Sequence, residues 1–113
     1  MAIRKKNFFS EEQITEAAHL FGLLADASRL RLLKALMNGE HSVGELVQET
    51  GLTQANVSKH LSLLYSARLV ERRKNGPFVI YRLRDSFVAD LCELICGHFK
   101  NEAGRLAKLL AGR

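Results

Sequence analysis

Tryptophan is absent from this chain of 113 residues, proline occurs once, at Pro77, and cysteine only twice, at Cys92 and Cys96. Two cysteines are too few for the disulfide framework that stabilises small secreted domains. One proline and eight glycines exclude collagen-like and proline-rich low-complexity sequence. No apolar run approaches the ~20 residues that a membrane span needs. The opening MAIRKKNFFSEEQ is basic, but neither an apolar stretch nor a small-residue cleavage site follows it, so no signal peptide is expected. No glycine-rich phosphate loop, nucleophile motif or HExxH pattern occurs, which leaves an enzyme reading without support. The expectation is a cytoplasmic protein without membrane association, whose two cysteines are free thiols.

What is present is an ordinary globular composition, 47% apolar and 26% charged, of a length that fits one domain over residues 1–113. The formal charge is +5, and it is unevenly placed. Residues 1–57 hold six Lys or Arg against seven Asp or Glu, and residues 85–113 hold four against four. Residues 58–84 hold seven against one. The excess therefore lies in one segment, the footprint expected of a surface that meets phosphates. A solvated charged face is the ordinary alternative, and the structural context decides between them.

Helix signals organise the chain. Ser10 with Gln13 forms a capping box, and Phe9 can staple onto Ile14. Ile14, Ala17, Ala18, Phe21 and Leu24 then recur at helical spacing. Asp26 or Ser28 caps a second helix that Gly39 closes. Ser42 with Glu45 forms a second capping box for a short third helix, stopped by Gly51. Thr53 caps a fourth, in which Val57, Leu61 and Leu64 face the core while Gln54, Asn56, Ser58, Lys59 and Arg68 lie elsewhere. Val70 to Lys74 and Phe78 to Leu83 flank Asn75-Gly76-Pro77, and Asn-Gly predicts a hairpin turn in which both central residues take positive φ. Val79, Tyr81 and Leu83 form the inward face of the second strand. From Asp85 a last helix of about 25 residues carries a wide apolar stripe, more than a chain of this size covers alone.

Two helices joined by a short glycine-containing turn, followed at once by a basic hairpin, form the winged helix-turn-helix arrangement. The fold class is mainly α with a small β-hairpin. The helix-turn-helix occupies 42–68, the wing 69–84, and segments 10–25 and 86–110 supply the helices through which two copies dimerise. Leu24-Ala25-Asp26-Ala27-Ser28-Arg29-Leu30-Arg31-Leu32-Leu33, Gly39-Glu40-His41-Ser42-Val43-Gly44-Glu45-Leu46, Leu52-Thr53-Gln54-Ala55-Asn56-Val57-Ser58-Lys59-His60-Leu61 and Val79-Ile80-Tyr81-Arg82-Leu83 resemble the ArsR/SmtB family of dimeric bacterial repressors. The resemblance covers roughly residues 15–84 and weakens beyond. It implies a homodimer that binds a double-stranded, inverted-repeat operator and is released by an inducer. Thr53, Gln54, Asn56 and Ser58 are then expected at base edges or phosphates, with Lys59, Arg72, Arg73, Lys74 and Asn75 on the backbone. His60 is a further candidate contact, with packing against a neighbouring helix as its alternative.

The inducer is less legible. Family members that sense soft metals often carry Cys-x-Cys in the third helix, where this chain has Ser42 and Gly44. A second family zinc site, Asp-x-His-x10-His-x2-Glu, here reads Asp85-x-Phe87-x10-His98-x2-Asn101, which keeps two ligands of the four that zinc normally takes. Cys92 and Cys96 stand at i and i+4 on one helix face. Two copies of that face suit a soft metal ion, arsenite or a sulfur-reactive signal. Core packing is the competing explanation for both cysteines. His19 and His41 read as surface or packing residues. The rival from another class is a winged-helix protein-interaction module, without sequence-specific DNA binding, whose basic wing docks an acidic partner.

Overall fold

In the computed structural model of the chain, the described residues are 9–112. Their order is α1 (Glu11–Leu24), α2 (Ala27–Leu36), β1 (His41–Ser42), α3 (Val43–Thr50), α4 (Gln54–Ser66), β2 (Val70–Asn75), β3 (Phe78–Leu83) and α5 (Phe87–Ala111). The strands form one antiparallel sheet in the order β1-β3-β2. This is the winged helix-turn-helix expected above. Among the described residues no helix is long and apolar enough to cross a membrane.

The helix starts follow the capping signals. Ser10 and Ser42 each complete a capping box, with Gln13 and Glu45, and Asp26 accepts the Arg29 N–H at 3.0 Å. Gly51 ends α3 in the left-handed region, φ 73°, which a glycine enters without steric cost. Thr53 then caps α4 by accepting the Asn56 N–H, so the two helices of the motif are separated by a three-residue corner.

Four local features differ from expectation. The hairpin turns on Gly76-Pro77, not Asn75-Gly76: Asn75 pairs with Phe78 as the last residue of β2. A turn centred on Asn75-Gly76 would need Pro77 to supply the closing N–H, which proline lacks. Shifted by one, Gly76 takes the positive φ (63°) and Pro77 the fixed negative one, the pattern of a type II′ turn. Asp85 is not the cap residue of α5. That place falls to Ser86, and the Asp85 carboxylate accepts the Phe87 N–H at 3.0 Å. Gly39 lies beyond the end of α2, which closes at Met37, and the two-residue β1 gave no sequence signal because it exists only by pairing with β3.

The core forms where α2, α3, α4 and the sheet converge. Leu32, Leu33, Leu46, Val57, Leu61, Leu64, Val70 and Val88 are fully buried, with Tyr81 beside them. Helices α1 and α5 contribute only Leu23 and Val88 to the buried residues. Phe21, Leu94, Phe99, Leu106, Leu109 and Leu110 are exposed instead.

Candidate nucleic-acid interface

The buried stripe of α4 fixes what the helix presents. Val57, His60, Leu61 and Leu64 face inward at i, i+3, i+4 and i+7. Gln54, Asn56, Ser58 and Lys59 are all exposed, as is Thr53, whose hydroxyl oxygen is engaged by the cap bond. Ser62 and Ser66, also exposed, continue the line of Ser58 at one-turn intervals. That serine repeat was readable from spacing alone, and sequence reasoning passed over it.

His60 belongs to the other side. It is 8% exposed, and its Nδ1 lies 3.3 Å from a guanidinium nitrogen of Arg29. Arg29 has only donors to offer, so in this contact its N–H points at the ring nitrogen. The same guanidinium donates to the carbonyls of Leu23 at 2.6 Å and Gly22 at 3.3 Å, and Asp26 lies 4.0 Å away. His60 therefore packs behind the exposed face and ties α4 to the α1–α2 corner, the alternative raised for it above. Asp26 is held below the usual carboxylate range, first by the backbone bond from Arg29 and then by the positive charge near it.

The wing carries its cations in different states. The Arg72 guanidinium lies 3.9 Å from the centroid of the Tyr65 ring, and a side-chain hydrogen bond with Tyr81 is the main cause that raises its pKa further. Arg73 pairs with Glu40, and Arg82 with Glu71 at 2.8 Å. Lys74, Lys59, Arg68 and Arg84 have no side-chain partner among the described residues. The basic segment is thus partly neutralised by Glu40, which comes from outside it, and by its own Glu71. Asn75 is exposed at the end of β2, next to the turn.

The thiols lie apart from this surface, in the first half of α5. Cys92 is partly buried against the core and Cys96 is exposed; both are free. Burial, and then the neighbouring Cys96, push the Cys92 thiol above its ordinary pKa. Among the described residues no three His, Cys, Asp or Glu side chains are grouped so as to hold a metal ion. His98, the retained histidine of the second zinc pattern, stands against the Phe99 ring.

Comparison with known proteins gives a consistent result. Residues 26–72 match the bacterial regulatory proteins of the arsR family. A probable mercury resistance operon repressor of Streptomyces lividans is 40% identical over 77 residues, 68% of this chain and 62% of that protein. The chain thus spans under two thirds of that relative's length. The crystal structure of the transcriptional repressor BigR from Xylella fastidiosa superposes with a TM-score of 0.72 at 36% identity, covering 79% of this chain and 91% of that one. The homodimeric winged helix-turn-helix DNA-binding domain of Mb0332 from Mycobacterium bovis gives 0.75 at 27% identity, covering 88% and 94%.

Proposed function

The chain belongs to the arsR family of bacterial regulatory proteins, and from that premise we propose that it is a homodimeric transcriptional repressor that binds an inverted-repeat operator in double-stranded DNA. The observation that carries this is the polar, uncovered face of α4, with Gln54, Asn56, Ser58 and Lys59 exposed beside a wing that ends in Lys74 and Asn75. Side chains of this kind on the second helix of the motif fit base edges and phosphates in a major groove, and the hairpin tip reaches the adjacent backbone or minor groove. Arg72 and Arg73 support the wing from its flank. Two copies related by a two-fold axis would address half-sites about one helical turn, ~34–36 Å, apart.

Release by an inducer rests on the thiols. The Streptomyces relative named as a mercury resistance repressor supports a soft-metal reading. Cys92 and Cys96 supply two thiol ligands per chain, so a complete soft-metal or arsenite site needs the same pair from a second copy. The raised pKa of Cys92 means that its proton must be displaced on binding. Replacing both cysteines by serine is expected to leave operator binding intact and abolish release. Release that persists in the double variant assigns the pair to packing.

The decisive measurement for the function itself is fluorescence anisotropy with the duplex upstream of the chain's own coding region. Affinity should fall steeply between about 50 and 200 mM salt and exceed that for a scrambled duplex by at least ~1000-fold. Binding that ignores salt, or shows no sequence preference, overturns this reading in favour of a protein-docking module.

A further inference from the structure

The recognition helix and the wing do not meet flush. Between the C-terminal half of α4 and strand β2 lies a cleft of about 770 Å³, with Arg68, Arg72, Arg73, Arg82 and Arg84 in its lining. Three of these arginines are engaged within the chain, as described, whereas Arg68 and Arg84 carry guanidinium groups without a partner among the described residues. Arg68 is also the one non-glycine residue with positive φ there, at 63°. It stands just past the end of α4, where its N–H bonds to the Tyr65 carbonyl at 3.0 Å and the Leu69 N–H to the Leu64 carbonyl at 3.0 Å. That is the Schellman closure, whose left-handed position glycine usually fills and an L side chain strains. The chain keeps an unpaired cation where glycine would be more relaxed. Arg84 is pinned beside it, because its N–H donates to the Leu69 carbonyl at 3.1 Å. The line Ser58, Ser62, Ser66 runs from the groove-facing turn of α4 into the same cleft, which Ser66 also lines.

We propose that this cleft is a phosphate seat, in which the DNA backbone strand between the two grooves lies with Arg68 and Arg84 on its phosphates. The proposal rests on the duplex binding inferred above and deepens it. A helix in the major groove and a hairpin in the adjacent minor groove leave one phosphate strand between them. In this fold α4 and β2 diverge from the corner at 67–69, so that strand would enter the cleft between them. Arginine's planar fork takes two phosphate oxygens at once. The carboxylates in the lining are held in exposed pairs, Glu40 by Arg73 and Glu71 by Arg82. Such exposed pairs contribute little, so a phosphate can compete for their arginines at little cost.

The test is a salt series of duplex binding by the full chain as wild type, Arg68→Gly, Arg84→Gln and the double variant, on operator and unrelated DNA. Counted per dimer, each single change removes two phosphate contacts and is expected to reduce the slope of log affinity against log salt by ~1.8, and the double change by ~3.6. The loss should be alike on both duplexes, since phosphates carry no sequence information. Arg68→Gly relieves the positive φ, so its melting temperature should not fall, and a weaker complex then reports the lost contact rather than lost fold. An unchanged slope in the double variant overturns the seat while wild-type DNA binding stands. No duplex binding by the wild type overturns the parent reading as well. A second arm titrates inorganic pyrophosphate without DNA, followed by 31P NMR. Saturable binding that the double variant loses, with its DNA slope unchanged, assigns the cleft to a free phosphate ligand and overturns the DNA seat.

Discussion

The guanidinium of Arg29 donates to the carbonyls of Leu23 and Gly22 and lies 3.3 Å from His60 Nδ1, so one side chain joins the end of α1, the start of α2 and the buried side of α4. The orphan carbonyls at a helix end need donors, and α1 has no basic residue of its own in its last turn. Arg29→Ala leaves those carbonyls and the imidazole without their partner in a region where the arginine side chain is only 14% exposed. We expect a loss of ~1–3 kcal/mol of stability, read as a lower urea midpoint with an unchanged slope. A cycle with His60→Ala should show coupling of at least ~0.5 kcal/mol; strictly additive effects would mean that the contact is incidental. Much of this was within reach of the sequence. The Asp26 cap was readable from residue type, and His60 sits in the same i, i+3, i+4, i+7 series as Val57, Leu61 and Leu64. Its polar identity kept the outward alternative open. The partnership with Arg29 spans 31 positions, and no local pattern encodes it.

At the scale of elements, the signals that succeeded are those whose physics is local. Both capping boxes form because a hydroxyl three residues before a Glu or Gln satisfies two orphan donors reciprocally. Turn chemistry was local too, but it depended on a second residue: Pro77 moved the hairpin turn by one place. Strand β1, in contrast, consists of His41 and Ser42 and is defined by its partners Tyr81 and Ile80, so only tertiary pairing reveals it. The Ser42 box gives a direct test. Ser42→Ala removes the acceptor of the Glu45 N–H and should lower stability by ~1 kcal/mol in a urea melt. The box has a pH signature as well. The Ser42 backbone N–H bonded to Glu45 holds that carboxyl below the usual glutamate range, and the Arg29 N–H does the same for Asp26. A depressed pKa in the folded state makes a stabilising contribution that is complete above the unfolded value, near pH 4–4.5. That contribution is lost as pH falls through the lower folded values. Wild-type stability should therefore decline below about pH 4.5, and the decline should be shallower for Asp26→Asn. An equally steep fall in that variant would assign acid sensitivity to other carboxylates.

At the scale of the whole molecule, the shape and the apolar surface point the same way. The radius of gyration is 17.7 Å and the extents are 57 × 43 × 20 Å. A compact chain of this length has a radius near ~13 Å. Helix α5, 25 residues and about 37 Å long, has only Val88 buried. Leu94 is 72% exposed, Phe99 65% and Leu109 65%, and Phe21 of α1 is 61% exposed. An apolar helix face of that length is costly to leave in water, and in the proposed homodimer a second copy would cover it while presenting the basic surface of residues 58–84 twice on an otherwise nearly neutral body. Under that proposal dimerisation and operator affinity are one property measured two ways. Leu94→Glu places a carboxylate in that face, and two-fold symmetry counts the change twice. Burial of one leucine is worth ~1.5–3 kcal/mol before the cost of the charge, so the dimer constant should weaken by at least ~100-fold. Sedimentation equilibrium should then show monomers at micromolar concentration, while circular dichroism remains that of a folded winged helix because the core residues are untouched. Operator affinity should fall in parallel, with the residual binding close to that for unrelated DNA. A variant that stays dimeric would place the interface elsewhere on α1 and α5. One that becomes monomeric yet holds the operator as tightly as before would break the link between the covered helix face and two-site recognition.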